Sequence, residues 1–125
     1  MRLLLDTHIF LWCTKNDRRL SKSARSIIQS ASEIYISSAS IWEASIKMKL
    51  GKLDVDIDDL VNAIDESGFL HLSISARHAA TVSELPNHHR DPFDRILIAQ
   101  AISEPLRLIT SDSALQHYSD LVEIV

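Results

Sequence analysis

Residues 2–6 read RLLLD, three consecutive leucines (Leu3, Leu4, Leu5) closed on the carboxyl side by an acid, Asp6. An apolar run of that length without polar alternation suits a strand covered on both faces, as strands of parallel sheets are. Four further short runs of the same kind occur at 34–37 (IYIS), 69–72 (FLHL), 106–110 (LRLIT) and 121–125 (LVEIV). The segments between them, 9–14, 24–31, 41–50, 57–64, 76–85 and 93–102, carry apolar residues three and four apart and predict helices. Strands alternating with helices predict an α/β fold, a three-layer sandwich whose five-stranded sheet is mostly parallel and has helices on both faces.

The punctuation agrees with this parse. Both glycines of the chain, Gly51 and Gly68, fall just past predicted helices, where a left-handed residue ends a helix most cheaply. Pro92 fits the first helical position behind Asp91, and Pro105 stops the same helix before LRLIT. No linker, repeat or low-complexity tract interrupts the pattern. The 125 residues, 46% hydrophobic, predict one domain that buries roughly two thirds of its unfolded surface.

Composition excludes several kinds of chemistry. A single cysteine, Cys13, allows neither an internal disulfide nor a cysteine zinc cluster, and suits a reducing cytoplasm. The apolar N-terminal stretch is broken by Asp6 and His8 and leads to no cleavage site, so neither a signal peptide nor a membrane span is expected. With both glycines at helix ends there is no Gly-rich phosphate loop. The net charge of −4 argues at first against a polyanionic partner. Its distribution qualifies that reading: acids gather at 54–59, whereas Lys47, Lys49 and Lys52 cluster beside Glu43, and Arg90 and Arg95 flank Asp94. The lysines taken alone read as a solvated helix face.

Four acids, Asp6, Glu43, Asp94 and Asp112, stand where a strand gives way to a helix or in the first turns of one. Each but the first has a plain alternative as a helix cap. Ser40 to Glu43 matches a capping box, Asp91 caps the helix that carries Asp94, and Asp112 caps the segment after it. Asp6, directly behind three strand leucines, needs a partner to offset its desolvation. In a parallel sheet ligands bind at the carboxyl ends of strands, and if the first and fourth strands are neighbours all four acids face one crevice. Clustered carboxylates offer the oxygen ligands that hard divalent cations take.

Other constellations are weaker. The six histidines include no H-x-x-x-H pair, and His88 and His89 are adjacent in a polar loop, so a zinc site is not expected. His8 stands close behind the strand end and is expected to pack in the first helix. Cys13 has no surrounding motif that would make it a nucleophile. Phe10, Leu11, Trp12 and Trp42 are candidate exposed anchors for a partner helix, although such spacing more often marks core.

The blocks LLLDTHIFLW (3–12), ISSASIWEASIKMKLGKL (36–53), HRDPFDRILIAQA (89–101) and LITSD (108–112) resemble the PIN-domain ribonucleases of the VapC type, toxins of type II toxin-antitoxin pairs. The resemblance covers essentially the whole chain. It implies a PIN-like sandwich and carries over Asp6, Glu43, Asp94 and Asp112 as the catalytic, metal-holding quartet. Thr110 would be the hydroxyl beside the last acid and Asp91 an accessory acid, with Lys47, Arg90 and Arg95 available to RNA. It further implies Mg²⁺ or Mn²⁺ as cofactor, RNA as substrate, a cognate antitoxin as partner and a homodimer. The alternative is a non-catalytic module of the same fold that binds a partner protein or RNA without cutting.

Overall fold

The leucine run is the centre of the sheet. The computed structural model of the chain describes residues 1–87 and 91–125, so Arg90, His88 and His89 lie outside the described residues. In chain order the elements are β1 (Arg2–Leu5), α1 (Thr7–Lys15), α2 (Lys22–Ser30), β2 (Glu33–Ser37), α3 (Ser38–Lys49), α4 (Ile57–Glu66), β3 (Leu70–Leu72), α5 (Ala76–Thr81), α6 (Pro92–Ser103), β4 (Arg107–Thr110) and β5 (Val122–Ile124). Short 3-10 turns occupy Val82–Glu84 and Ser113–Tyr118. The described strands form one five-stranded sheet in the order β3-β2-β1-β4-β5, with every pairing parallel.

Leu3, Leu4 and Leu5 are fully buried because β1 is covered on both sides. Successive side chains on a strand point to opposite faces. Leu3 and Leu5 accordingly join Ile9, Phe10, Leu60 and Ile64 in one core, whereas Leu4 joins Leu97, Ile98 and Leu115 in the other. Full burial of each leucine stabilises the fold by roughly 1.5–3 kcal/mol. Register extends the same partition to the neighbours, Leu4 lying opposite Tyr35 and Leu108, and Leu5 opposite Ile36 and Ile109. The expected three-layer α/β sandwich is therefore the observed one, with β1 and β4 adjacent.

Several local expectations are corrected. The segment 76–85 is not one helix: α5 ends at Thr81 and tightens into the 3-10 turn Val82–Glu84. The segment behind Asp112 is likewise 3-10 rather than α-helical. Phe10 and Leu11 are buried core residues rather than exposed anchors, and Trp12 is only half exposed. Their side chains lie over the sheet, and a helix that covers a parallel sheet must give its apolar face to it.

Helix ends behave as the glycines indicate. Gly51 and Gly68 have φ of +73° and +76°. Behind α4, the N–H of Gly68 donates to Asp65 O and that of Phe69 to Ile64 O, and Gly51 and Lys52 repeat the pattern behind α3. A Cβ at Gly68 meets nothing within 4 Å, so the cost of Gly68→Ala is that of the left-handed backbone alone. Urea denaturation of this variant is expected to show a loss of about 1–2 kcal/mol with an unchanged slope.

Candidate active site

Asp6 leaves β1 in the middle of the sheet and enters α1 as its N-cap. Its Oδ1 accepts from the Ile9 N–H at 2.9 Å, and its own N–H donates to Ile109 O on β4 at 3.0 Å. Asp6 is thus also a capping residue, a role the sequence reading reserved for the other acids. It is 5% exposed. Its second oxygen, Oδ2, accepts from the Thr110 hydroxyl at the end of β4. Burial pushes the Asp6 carboxyl above its ordinary range, against the pull of the Thr110 and Ile9 hydrogen bonds and the nearby His8, and the charge of Glu43 raises it further.

Thr110 is fully buried and serves two acids at once. While donating to Asp6 it accepts from the backbone N–H of Asp112 at 3.1 Å, fixing where the chain turns out of β4. Asp112 is exposed, and its Oδ1 caps the following turn by accepting from the Ala114 N–H at 3.0 Å. On α6, Asp91 is the N-cap, accepting from Phe93 N–H at 2.9 Å, and Asp94 is half-buried in the first turn behind Pro92.

Glu43 arrives on α3. The cap of that helix is Ser37, which accepts from Ala39 N–H at 3.0 Å, so the expected capping box from Ser40 to Glu43 is absent. The reason is that β2 runs straight into α3, and Ser40 is already inside the helix. Its hydroxyl instead accepts from Thr7 Oγ1 at 3.0 Å, joining α3 to α1. Glu43 is 5% exposed, and its Oε2 is paired with Lys47 Nζ at 2.8 Å. Lys47 is therefore not simply solvated, whereas Lys49 and Lys52 are exposed. The side of α3 next to Glu43 meets the start of α6, where Trp42 and Phe93 stack edge to face with ring centres 5.0 Å apart.

The structure thus places Asp6 and Asp112 at the carboxyl ends of the neighbouring strands β1 and β4. It links Asp6 to Asp112 through Thr110, brings Glu43 within electrostatic reach of Asp6, and sets the helix carrying Asp94 against the one carrying Glu43. As the side chains stand, no three His, Cys, Asp or Glu of the described residues converge on one point. Asp6, Glu43 and Asp112 are each turned toward a partner of their own.

Three other predicted residues are placed as follows. Arg95 donates to the carbonyls of Pro86 and Val82 at 2.9 and 3.2 Å, tying α6 to the preceding turn. His8 lies in α1, where its exposed ring rests beside Trp12 of the same helix with ring centres 6.1 Å apart. Burial pushes the Cys13 thiol up, which leaves it protonated and a poor nucleophile. Sequence reasoning passed over Thr7 and gave Ser40 only a capping role. Their signal was their spacing from the acids, one residue after Asp6 and three before Glu43.

Over 122 residues the chain is 28% identical to Ribonuclease VapC22 of Mycobacterium tuberculosis, which spans 93% of this chain and 91% of that protein. Among solved structures it is similar to a chain of the VapBC2 complex from Rickettsia felis bound to a DNA fragment from its promoter. The TM-score is 0.72 at 18% identity, covering 100% of this chain and 99% of that one. It is also similar to a chain of a toxin-antitoxin complex from Klebsiella pneumoniae, with a TM-score of 0.67 at 20% identity over 97% and 95% of the two chains. At those identities the structural likeness speaks for the fold, which is the one built above from the leucine strand outward. The family model described as PIN domain matches residues 3–121, from the first strand leucine past Asp112, and the chain belongs to that family.

Proposed function

We propose that the chain is a Mg²⁺- or Mn²⁺-dependent endoribonuclease acting in the cytoplasm as the toxin of a type II toxin-antitoxin pair. The observation that carries this reading is the buried Asp6 carboxylate at the end of the central strand, held by Thr110 and facing the charge of Glu43. A stability-driven core gains nothing from two carboxylates brought together in a desolvated place. The ribonuclease relative and the toxin-antitoxin complexes among the structural neighbours support the substrate and a cognate antitoxin as partner. A homodimer belongs to the same reading, and no helix among the described residues is long and apolar enough to cross a membrane.

The donor set is all oxygen, which fits a hard divalent ion. Asp6, Asp94 and Asp112 would hold it, with Glu43 directly or through water. When bound it supplies Lewis acidity and a water of lowered pKa. The chain's own residues do the rest. Thr110 keeps Asp6 and the Asp112 backbone in register, Asp91 starts α6 so that Asp94 falls in its first turn, and Lys47 neutralises Glu43 in the free protein. Lys47, held beside Glu43, would also offer its ammonium to an RNA phosphate.

RNA cleavage tests the reading. A total RNA pool incubated with the purified, partner-free chain is expected to be cut in Mg²⁺ or Mn²⁺ and left intact in EDTA, with Glu43→Gln inactive in all three. Cleavage that persists in EDTA, or in the variant, contradicts it.

One observation favours a second reading. Trp42 is 58% exposed and walls an apolar groove of about 490 Å³ with Ile74, Ala79, Val82 and Phe93. Such a surface suits a non-catalytic module that captures a partner protein. Intact RNA in every buffer, together with tight capture of a partner, would favour that module.

A further inference from the structure

Thr7 and Ser40 form a hydroxyl pair that no helix end requires. Thr7 Oγ1 donates to Ser40 Oγ at 3.0 Å, with the two residues 4% and 1% exposed. Thr7 is the first residue of α1 and Ser40 the third of α3, yet the caps of those helices are Asp6 and Ser37. The pair also adds nothing that packing could not replace. Two buried partners exchanged together for apolar groups of the same shape leave stability nearly unchanged.

A hydrogen bond differs from an apolar contact in being directional, holding donor and acceptor at one separation and angle. Thr7 is bonded in the chain to Asp6. Ser40 lies three residues before Glu43, on the same face of α3 and one turn away. The bond therefore joins the backbone of one acid to the helix face of the other, across an interface where no other hydrogen bond among the described residues links α1 to α3. We propose that the Thr7–Ser40 hydroxyl pair is a positioning device that sets the separation of the Asp6 and Glu43 carboxylates, and thereby the affinity of the site for a divalent ion. This rests on the metal-dependent reading above and assigns to two further residues of the chain the task of preorganising that site.

The test is the double variant Thr7→Val/Ser40→Ala, with Thr7→Ser as the conservative control. Mn²⁺ binding is followed by electron paramagnetic resonance and folding by melting in EDTA. The double variant is expected to melt within about 2 °C of wild type, since the apolar pair fills the same space, and to bind Mn²⁺ about ten- to a hundredfold more weakly. Thr7→Ser, which keeps the hydroxyl, is expected to bind as wild type does. Equal Mn²⁺ affinity of wild type and double variant overturns this inference alone, as does a double variant that melts far earlier without loss of affinity. A wild type that binds no Mn²⁺ overturns the metal-dependent reading with it.

Discussion

Asp6→Asn is expected to raise the melting temperature in EDTA by about 3–5 °C, the shift of roughly 1 kcal/mol in a domain of this size, while reducing RNA cleavage by about a thousandfold or more. Asparagine caps a helix as well as aspartate does, so the bond from Ile9 N–H survives and the capping term cancels. What changes is the charge, and the amide nitrogen then donates to the Thr110 oxygen where the carboxylate accepted from it. Asp6 sits desolvated beside Glu43, and its carboxyl is pushed above the ordinary range by burial first and by that neighbour last. A carboxyl whose folded pKa is raised keeps in the folded state a proton the unfolded state gives up. Its contribution is complete below the unfolded value and is lost as the pH rises through the folded one. The metal-free wild type should therefore lose stability as pH rises from about 4 toward neutrality, where ordinary carboxylates ionise. Asp6→Asn should flatten that dependence. If Asp6 were only a cap, Asp6→Asn would leave the melting temperature and its pH dependence unchanged.

Thr110→Val has the opposite sign. Valine matches the threonine in shape, so the packing of β4 is kept, but both hydrogen bonds of the hydroxyl disappear. The buried Asp6 carboxylate then loses the donor that offsets its desolvation, and the Asp112 N–H loses its acceptor. Leaving a buried charged group short of a partner costs about 1–3 kcal/mol, or a fall in melting temperature of roughly 5–10 °C. Activity is expected to fall about 10- to 100-fold through misplacement of Asp6 and Asp112, and more divalent ion should recover part of it. Thr110→Ser, which restores the hydroxyl, is expected to recover most of both losses. Thermal melting and cleavage rates at two Mn²⁺ concentrations check the pair, and a Thr110→Val protein as stable and active as wild type would remove Thr110 from the site.

The sheet was legible because its three central strands are largely buried on both faces. Leu3 to Leu5, Ile34 to Ile36 and Leu108 to Ile109 leave no polar alternation that would suit a solvated sheet. Helix ends were legible where a special residue enforces them, as Gly51, Gly68, Asp91 and Pro92 do. Failures occurred where tertiary contacts outvote a local pattern. Ser40 to Glu43 has the spacing of a capping box, but β2 passes into α3 without a loop, so Ser37 takes the cap and Ser40 is left to meet Thr7. Phe10 and Leu11 have the look of exposed anchors only until the sheet beneath α1 is supplied.

The candidate site was legible as far as Asp6 and Asp112, which stand within two residues of a strand end, with Thr110 supplied by the resemblance. Its internal wiring was not. The double duty of Thr110, the i,i+4 grip of Lys47 on Glu43 and the carbonyls that take up Arg95 all depend on which side chain reaches which, and periodicity does not encode that.

Whether these acids are gathered to hold a divalent cation is read from the melting temperature of the wild-type chain as a function of Mn²⁺ concentration. A ligand that binds only the folded state stabilises by RT ln(1 + [L]/Kd), about 2.7 kcal/mol at a hundredfold excess over Kd. The melting temperature is expected to climb steadily with the logarithm of Mn²⁺ once Kd is passed, by roughly 10 °C at that excess. A melting temperature unmoved by Mn²⁺ would contradict it, and would return Asp6, Glu43, Asp94 and Asp112 to the role of helix caps and ion-pair partners.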